Sequence, residues 1–342
     1  MKALVYLGPE RLEMQDFPTP APADGEALLE VRAAGICGSD IHGFLGHSER
    51  RQPGLVMGHE TVARIADLGV GVTGWRPGQR VCLNPLVSCR SCPACLAGRQ
   101  NVCPDWRIFG MDRLHGTYAE FVSVPTCQLY ALPESLPEAE AILAEPMAVV
   151  IHAFRISMPE LPRTMVIVGG GPIGCLALLL AKNRGVQQVG VIDVNDDRLA
   201  AARTLGAELV VHAGRENVQE VLRAWTDGRG VEHVIEAVGS DATRRTAVAA
   251  CAKGGRLLFL GLAENDTALP WIEMTRNELA IFTSFAYAPR DFEASVRLLE
   301  TRPFDLKPWT QTMPLADGQA AFAKMAHDPG ATLKLMLSIS MK

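Results

Sequence analysis

Four cysteines fall within one short stretch, spaced Cys89-x2-Cys92-x2-Cys95-x7-Cys103. Thiolates at such spacing can close a tetrahedron around Zn²⁺, and a site with four protein ligands keeps no open position, so its role is structural. Pro93, Gly98 and Pro104 suit a looping lobe over residues 85–105. The bacterial ferredoxin run C-x2-C-x2-C-x3-C-P is similar, and Cys103-Pro104 copies its end. The last gap of seven residues and the lack of a second cysteine cluster favour zinc over an iron–sulfur cluster.

A second constellation is dispersed. Cys37 lies in Gly35-Ile-Cys-Gly-Ser-Asp40, His59 and Glu60 follow Gly58, and Glu145 precedes Pro146. Taken singly, each has an ordinary reading: a small buried thiol, a structural histidine, an acid ending a loop. Together, a thiolate, an imidazole and a carboxylate can hold zinc and leave one position for water or substrate.

A third signal concerns phosphate. Val166-Ile-Val-Gly-Gly-Gly-Pro-Ile-Gly174 contains G-x-G-x-x-G at Gly169, Gly171 and Gly174, between an apolar run and a helical pattern that Pro172 and Ile173 open. The first glycine permits the turn, the second lets backbone approach a pyrophosphate, and the third lets helix pack on strand. Asp193 stands 19 residues after Gly174, where an acid binds ribose hydroxyls and repels a 2′-phosphate. That favours NAD over NADP. Arg198 reads equally as an adenine-side contact and as a solvated helix charge.

Those residues need elements to hold them. The chain has 342 residues, enough for about two domains. A formal charge of −5 argues against a nucleic-acid partner, and 48% hydrophobic with 21% charged residues describes an ordinary globular protein. Residues 1–150 read as β-rich, with short apolar runs at 27–31, 61–66, 80–83 and 119–124 between proline and glycine turns. From residue 163 strands alternate with helices. The strands are expected at 164–168, 189–193, 208–212, 231–237 and 256–261, and the helices at 173–184, 197–205, 216–225 and 241–252. That rhythm predicts a doubly wound parallel sheet. A helix over 291–300 and a strand over 332–339 close the chain. The N-terminus turns polar by Pro9-Glu10, too soon for a signal segment, and the apolar run Met165–Ala181 holds four glycines and a proline, a poor membrane helix. With nine cysteines, an odd count, the expectation is a cytoplasmic protein with reduced thiols and no membrane or nucleic-acid partner.

In order, the Cys-Gly-Ser-Asp and Gly-His-Glu segments, the four-cysteine lobe, Glu145-Pro146 and the glycine fingerprint resemble the zinc-dependent medium-chain alcohol dehydrogenases. The closest likeness is to the polyol branch of sorbitol, galactitol-phosphate, butanediol and threonine dehydrogenases. The resemblance runs end to end. It implies a mixed β and α/β fold: a GroES-like catalytic domain from residues 1–150 and 289–342, with a Rossmann NAD-binding domain at 151–288 inserted. It implies two Zn²⁺ per chain and NAD. It makes Cys37, His59 and Glu145 zinc ligands, with Glu60 a ligand or a partner through water. It places Ser39 on the alcohol oxygen and gives His42 the task of passing the proton to solvent. By position, Val238, Leu260, Gly261, Leu262, Ser284, Phe285 and Ala286 join the glycine loop, Asp193 and Arg198 around NAD. It also implies a small alcohol or ketone substrate and a homodimer or homotetramer paired through Rossmann sheet edges.

The reaction so implied moves hydride between a secondary alcohol or polyol and NAD. Two positions depart from sorbitol dehydrogenases. Gly43 stands where they carry an aromatic, and Ala286 where they carry an arginine. Both changes argue against sorbitol itself and predict a larger pocket. A threonine-type or sugar-phosphate dehydrogenase is the near alternative. A zinc-lobed regulator that binds nucleotide without catalysis is the distant one, and an intact open ligand set disfavours it.

Overall fold

The strand Glu26–Ile36 alternates half-buried and buried positions until its last four residues, which are all buried. The change follows its neighbours. Its first half pairs with Phe121–Pro125 and its end with Lys334–Ser338, while Glu60–Leu68 lies along the other side. A strand covered on both faces loses the alternating pattern. Its last residue, Ile36, is followed directly by Cys37, so the fully buried end leads straight to that half-buried thiol.

The computed structural model describes residues 1–339 apart from 302, 303 and 305. The chain forms two units, Met1–Ala148 with Ala288–Lys342, and Val149–Tyr287. In the first, a seven-stranded sheet has the order Thr310–Pro314, Lys334–Ser338, Glu26–Ile36, Glu60–Leu68, Arg80–Leu83, Leu129–Ala131, with Phe121–Pro125 added to Glu26–Ile36. The register sets Gly35 opposite Glu60 on one side and Met336 on the other. Immediately after the central strand, the helix Gly38–Phe44 starts with Cys37 as its N-cap. Phe44 at its end is fully buried against Phe322, which also meets Tyr118 edge-on.

The second unit is a six-stranded parallel sheet. Its order is Leu209–His212, Gln188–Asp193, Thr164–Val168, Val231–Glu236, Cys251–Phe259, Ala280–Thr283. The first of these in sequence, Thr164–Val168, lies mid-sheet, so the strand order reverses between it and Val231–Glu236. Ligands of such sheets bind outside the carboxyl ends of the strands at that reversal. Gly169 follows one of the two strands and Val238 the other.

Three of the differences from the local reading are informative. Residues 144–157 form a helix, where Glu145-Pro146 suggested a loop end. Proline in a first helical turn sacrifices no intrahelical hydrogen bond, so it permits this start. The strand expected at 256–261 begins at Cys251 and ends at Phe259. The helix expected from 216 starts at Val218, because the Asn217 side chain accepts the N–H of Glu220 and caps it. Among the described residues, no helix is long and apolar enough to cross a membrane.

Candidate metal centres and nucleotide loop

Cys37, His59 and Glu60 bring one ligand atom each within 4.8 Å of one another. Three elements meet to do so: the N-cap of the helix Gly38–Phe44, the bend before the strand Glu60–Leu68, and that strand's first residue. Glu60 fits only because Gly35 faces it. A Cβ on Gly35 would lie 2.0 Å from Glu60 Oε2. The Lys334 ammonium pairs with the Glu60 carboxylate and donates to the Ile36 carbonyl at 3.1 Å. Glu145, expected as a ligand, is half-buried in the first turn of its helix and is not in this group.

Asp40 organises the centre. It is wholly buried, and its Oδ2 faces His59 Nδ1 at 3.4 Å. Arg51 Nη2 donates to its Oδ1 at 2.8 Å, and the Cys37 N–H to Oδ2 at 3.4 Å. The Tyr118 hydroxyl lies 2.8 Å from Asp40 Oδ2 and 2.9 Å from the Gly35 carbonyl, so its single proton is shared between them. Burial alone would raise the Asp40 pKa, but His59 and Arg51 beside it hold the carboxyl well below the usual range. Burial alone would depress His59. The Asp40 carboxylate and the Cys37 thiol reverse this and raise it well above 6.5. With Nδ1 turned to Asp40, Nε2 is the nitrogen left to ligate, the usual carboxylate–histidine–metal arrangement.

These residues fit zinc. The donor set is one thiolate, one imidazole and one carboxylate, which suits a borderline-soft ion with a position left open. Neither His59 Nδ1 nor Glu60 Oε2 makes a hydrogen bond, although both are buried. Among the described residues each has an ion-pair contact, with Asp40 and Lys334 respectively.

Ser39 is half-buried and its Oγ lies 3.3 Å from Arg51 Nη2. His42 is half-buried one helical turn on, its ring edge-to-face with His47 at 5.2 Å. The space expected beside Gly43 is not empty. A Cβ there would lie 1.9 Å from Arg51 Cδ, so the arginine stem fills the room an aromatic would take.

The four-cysteine lobe is assembled as the spacing predicts. All four Sγ atoms lie within 4.8 Å of one another. Cys89 Sγ is 3.5 Å from Cys103 Sγ and 3.9 Å from Cys95 Sγ. A tetrahedron with Zn–S near 2.3 Å has edges of about 3.8 Å. The separations are far too long for disulfides. Backbone N–H groups of Cys89, Cys92 and Cys95 point at Cys103, Cys89 and Cys92 sulfurs at 3.3–3.4 Å. Backbone donors at Ser91 and Cys92 pull the Cys89 thiol down to about 6, toward the thiolate a metal needs. Of the remaining cysteines, Cys82 and Cys175 are buried, Cys251 is half-buried, and Cys127 lies exposed.

In the nucleotide loop, Gly169 adopts φ +109°, a conformation that disfavours any side chain. A Cβ on Gly174 would lie 1.8 Å from the Gly169 carbonyl, whereas Gly171, the N-cap of the helix Pro172–Arg184, has open space beside it. That is the division of labour a pyrophosphate loop requires. Asp193 Oδ2 accepts the Gly170 N–H at 2.7 Å, and Oδ1 accepts those of Val194 and Asn195. Arg198 Nη1 is 3.8 Å from Oδ2. The acid thus ties the glycine turn to the end of the next strand.

Glu236, which sequence reasoning passed over, is fully buried and accepts the N–H groups of Val238 and Gly239 at 2.8 and 2.7 Å. Gly239 and Gly261 are in backbone contact. Val238 and Leu262 remain exposed, Leu260 and Ser284 are half-buried, and Ala286 takes a left-handed φ of +47° between Phe285 and Tyr287.

A β unit with an open Cys–His–Glu corner and a closed four-cysteine lobe, and a parallel sheet with a pyrophosphate loop, define a zinc- and nicotinamide-dependent oxidoreductase. Comparison with known proteins agrees. Residues 23–134 match the alcohol dehydrogenase GroES-like domain and residues 172–301 the zinc-binding dehydrogenase family. The chain is 31% identical to sorbitol dehydrogenase of Bacillus subtilis (strain 168), covering 98% of this chain and 97% of that one. It is 32% identical to sorbitol dehydrogenase of Homo sapiens, covering 98% and 95%. An Escherichia coli CFT073 alcohol dehydrogenase complexed with NADH superposes with TM-score 0.92 at 27% identity, over 99% of each chain. The chain belongs to the zinc-dependent medium-chain dehydrogenases, in their polyol branch.

Proposed function

We propose that the chain oxidises a secondary hydroxyl of a polyol or related diol to a ketone, with NAD as hydride acceptor. The observation that carries this reading is the Cys37–His59–Glu60 corner, with His59 and Glu60 buried and braced by Asp40 and Lys334. Zinc held there would lower the pKa of a substrate hydroxyl, as it does that of water. The chain's own residues do the rest. Asp40 keeps His59 oriented. Lys334 pairs with Glu60 and keeps it in place. Ser39 meets the substrate oxygen, and His42 carries its proton outward. The support for those two roles is that both sit on the helix that Cys37 caps, three residues apart and so on one face.

NAD is assigned to the glycine loop, with Gly169, Gly171, Pro172, Ile173 and Gly174 on the pyrophosphate and Asp193 on the adenosine ribose. Val238, Leu260, Gly261, Leu262, Ser284, Phe285 and Ala286 are assigned to the nicotinamide side. Glu145 is kept as a further ligand of the same zinc, with Glu60 a ligand or a partner through water. The homodimer or homotetramer is assigned to the edge strand Ala280–Thr283, supported by exposed Trp271, Ile272 and Ile281 beside and on it. Nine unbridged cysteines favour a reducing compartment, the cytoplasm.

The test is NADH formation over a panel of polyols, sugar acids, diols, sugar phosphates and amino alcohols. The reading expects turnover with hydroxyls flanked by carbon on both sides. Turnover of amino alcohols alone would favour a threonine-type enzyme, and no turnover of any alcohol or ketone would contradict the reading.

A further inference from the structure

Gly43 is not there for its backbone. It lies inside the helix Gly38–Phe44 and has no positive φ. Glycine in a helix interior costs about 0.5–1 kcal/mol relative to alanine. What its missing side chain admits is Arg51. A Cβ on Gly43 would lie 1.9 Å from Arg51 Cδ, 2.7 Å from Nε and 3.1 Å from Cγ. The arginine so admitted is buried, and its Nε has no hydrogen-bond partner. Burying an unsatisfied donor is unfavourable, so something other than packing accounts for its position.

The other end of the side chain supplies the reason. Arg51 Nη2 reaches Asp40 Oδ1 at 2.8 Å and Ser39 Oγ at 3.3 Å. A guanidinium can only donate. Ser39 Oγ therefore accepts on that side, and its own proton is left to point elsewhere. The neighbouring residue, Arg50, is held by the stretch just beyond the cysteine lobe. Its guanidinium grips both oxygens of Asp112 and stacks 3.9 Å over the Trp106 ring, and its carbonyl accepts the Asp112 N–H at 3.0 Å. The Trp106 backbone N–H in turn donates to the Cys103 carbonyl at 3.2 Å. A bidentate, stacked arginine is held far more firmly than a lone surface pair.

We propose that Arg51 is a positioning residue for the reaction: lodged in the space left by Gly43 and anchored to the cysteine lobe through Arg50, it fixes Ser39 as a hydrogen-bond donor to the substrate oxygen. The cysteine lobe then has a task beyond its own folding, since it holds the segment that aims Ser39. This rests on the proposed dehydrogenase chemistry, so its test reads binding in place of turnover.

The experiment replaces the ion at the Cys37 site with Co²⁺ and titrates trifluoroethanol, as the alcohol probe, in the presence of NAD. Binding is followed by the cobalt absorption bands. The unliganded cobalt spectrum reports whether each variant folds and keeps its metal. Arg51→Met and Gly43→Ala should each weaken the probe about tenfold, the equivalent of one hydrogen bond, with unliganded spectra unchanged. Ser39→Ala should show a similar loss, and Arg51→Met combined with Ser39→Ala should lose no more than either alone. Arg50→Met should weaken the probe in the unaltered protein and have no effect once Arg51 is Met. Additive losses of Arg51→Met and Ser39→Ala, or full probe affinity in Gly43→Ala, would overturn the proposal. Absence of a cobalt–thiolate band in the unaltered protein would instead overturn the dehydrogenase reading on which it stands.

Discussion

Lys334 and Glu60 form an ion pair in which the two side chains are only 2% and 1% exposed. They come from opposite ends of the chain and meet beside Gly35, whose lack of a side chain makes the room. A buried pair of this kind is weak evidence of net stability, but removing one partner strands a charge. Lys334→Met should therefore destabilise the metal-free protein by about 3–5 kcal/mol. Adding Glu60→Gln should restore much of the loss. Urea unfolding of the two variants measures both, and equal stability of the single and double variants would refute the pairing.

Asp40→Asn keeps the shape of the residue and removes its charge. The His59 ring then loses the carboxylate that faces Nδ1 at 3.4 Å. Outer partners of metal-ligating histidines are worth roughly 10–100-fold in metal affinity, and a loss in that range is expected at the Cys37 site. Competition with a chelator reads it. The four-cysteine lobe should keep its affinity, which provides an internal control.

Asp193 ties the glycine loop to the strand Gln188–Asp193 through Gly170, Val194 and Asn195. Asp193→Ala should weaken NAD and narrow the preference for NAD over NADP, because the acid that meets ribose hydroxyls and repels a 2′-phosphate is gone. Dissociation constants for both dinucleotides check this. An unchanged ratio would remove Asp193 from the ribose site.

His233 provides a pH dependence unconnected with the metal. It sits in the strand Val231–Glu236, fully enclosed, and neither ring nitrogen has a hydrogen bond. Burial, assisted by the nearby Arg256 charge, pushes its pKa down to about 4. The unfolded chain binds this proton near pH 6.5, so between 6.5 and 4 the unfolded state holds more protons than the folded one. The contribution is intact above pH 6.5 and is lost as pH falls toward 4, reaching about 3 kcal/mol. His233→Leu should flatten that acid limb in a denaturant series across pH. A parallel limb in the variant would contradict the assignment.

Much of this was legible where the controlling interactions are local. The spacing of Cys89, Cys92, Cys95 and Cys103 and the run from Gly169 to Gly174 are short-range patterns, and both assemble as expected. The alternating strands and helices of 164–259 were visible because each strand is a compact apolar run. The open metal corner was only half legible. Cys37, His59 and Glu60 were named from their short motifs, but that Glu60 meets the other two depends on sheet register, which sets Gly35 opposite Glu60. Lys334, 298 residues from the carbonyl it meets, gave no signal at all. Nor did Arg51, whose place depends on a side chain Gly43 does not have. Asp40 accepts the Cys37 N–H within its own loop, and it also faces His59, a contact that spacing along the chain does not show. The helix Ala144–Ser157 was hidden by Pro146, which normally signals an interruption but is harmless in a first turn.

The central claim is that one chain carries two metal centres with different tasks, a closed one for the lobe and an open one for the chemistry. The direct measurement is metal content and NAD reduction in Cys37→Ser beside the unaltered protein, using the best alcohol from the substrate panel. The account predicts two zinc ions per unaltered chain, one in the variant, an unchanged far-ultraviolet dichroism spectrum, and loss of NAD reduction. A variant that keeps its rate of NADH formation would contradict it, as would iron in place of zinc in the unaltered protein.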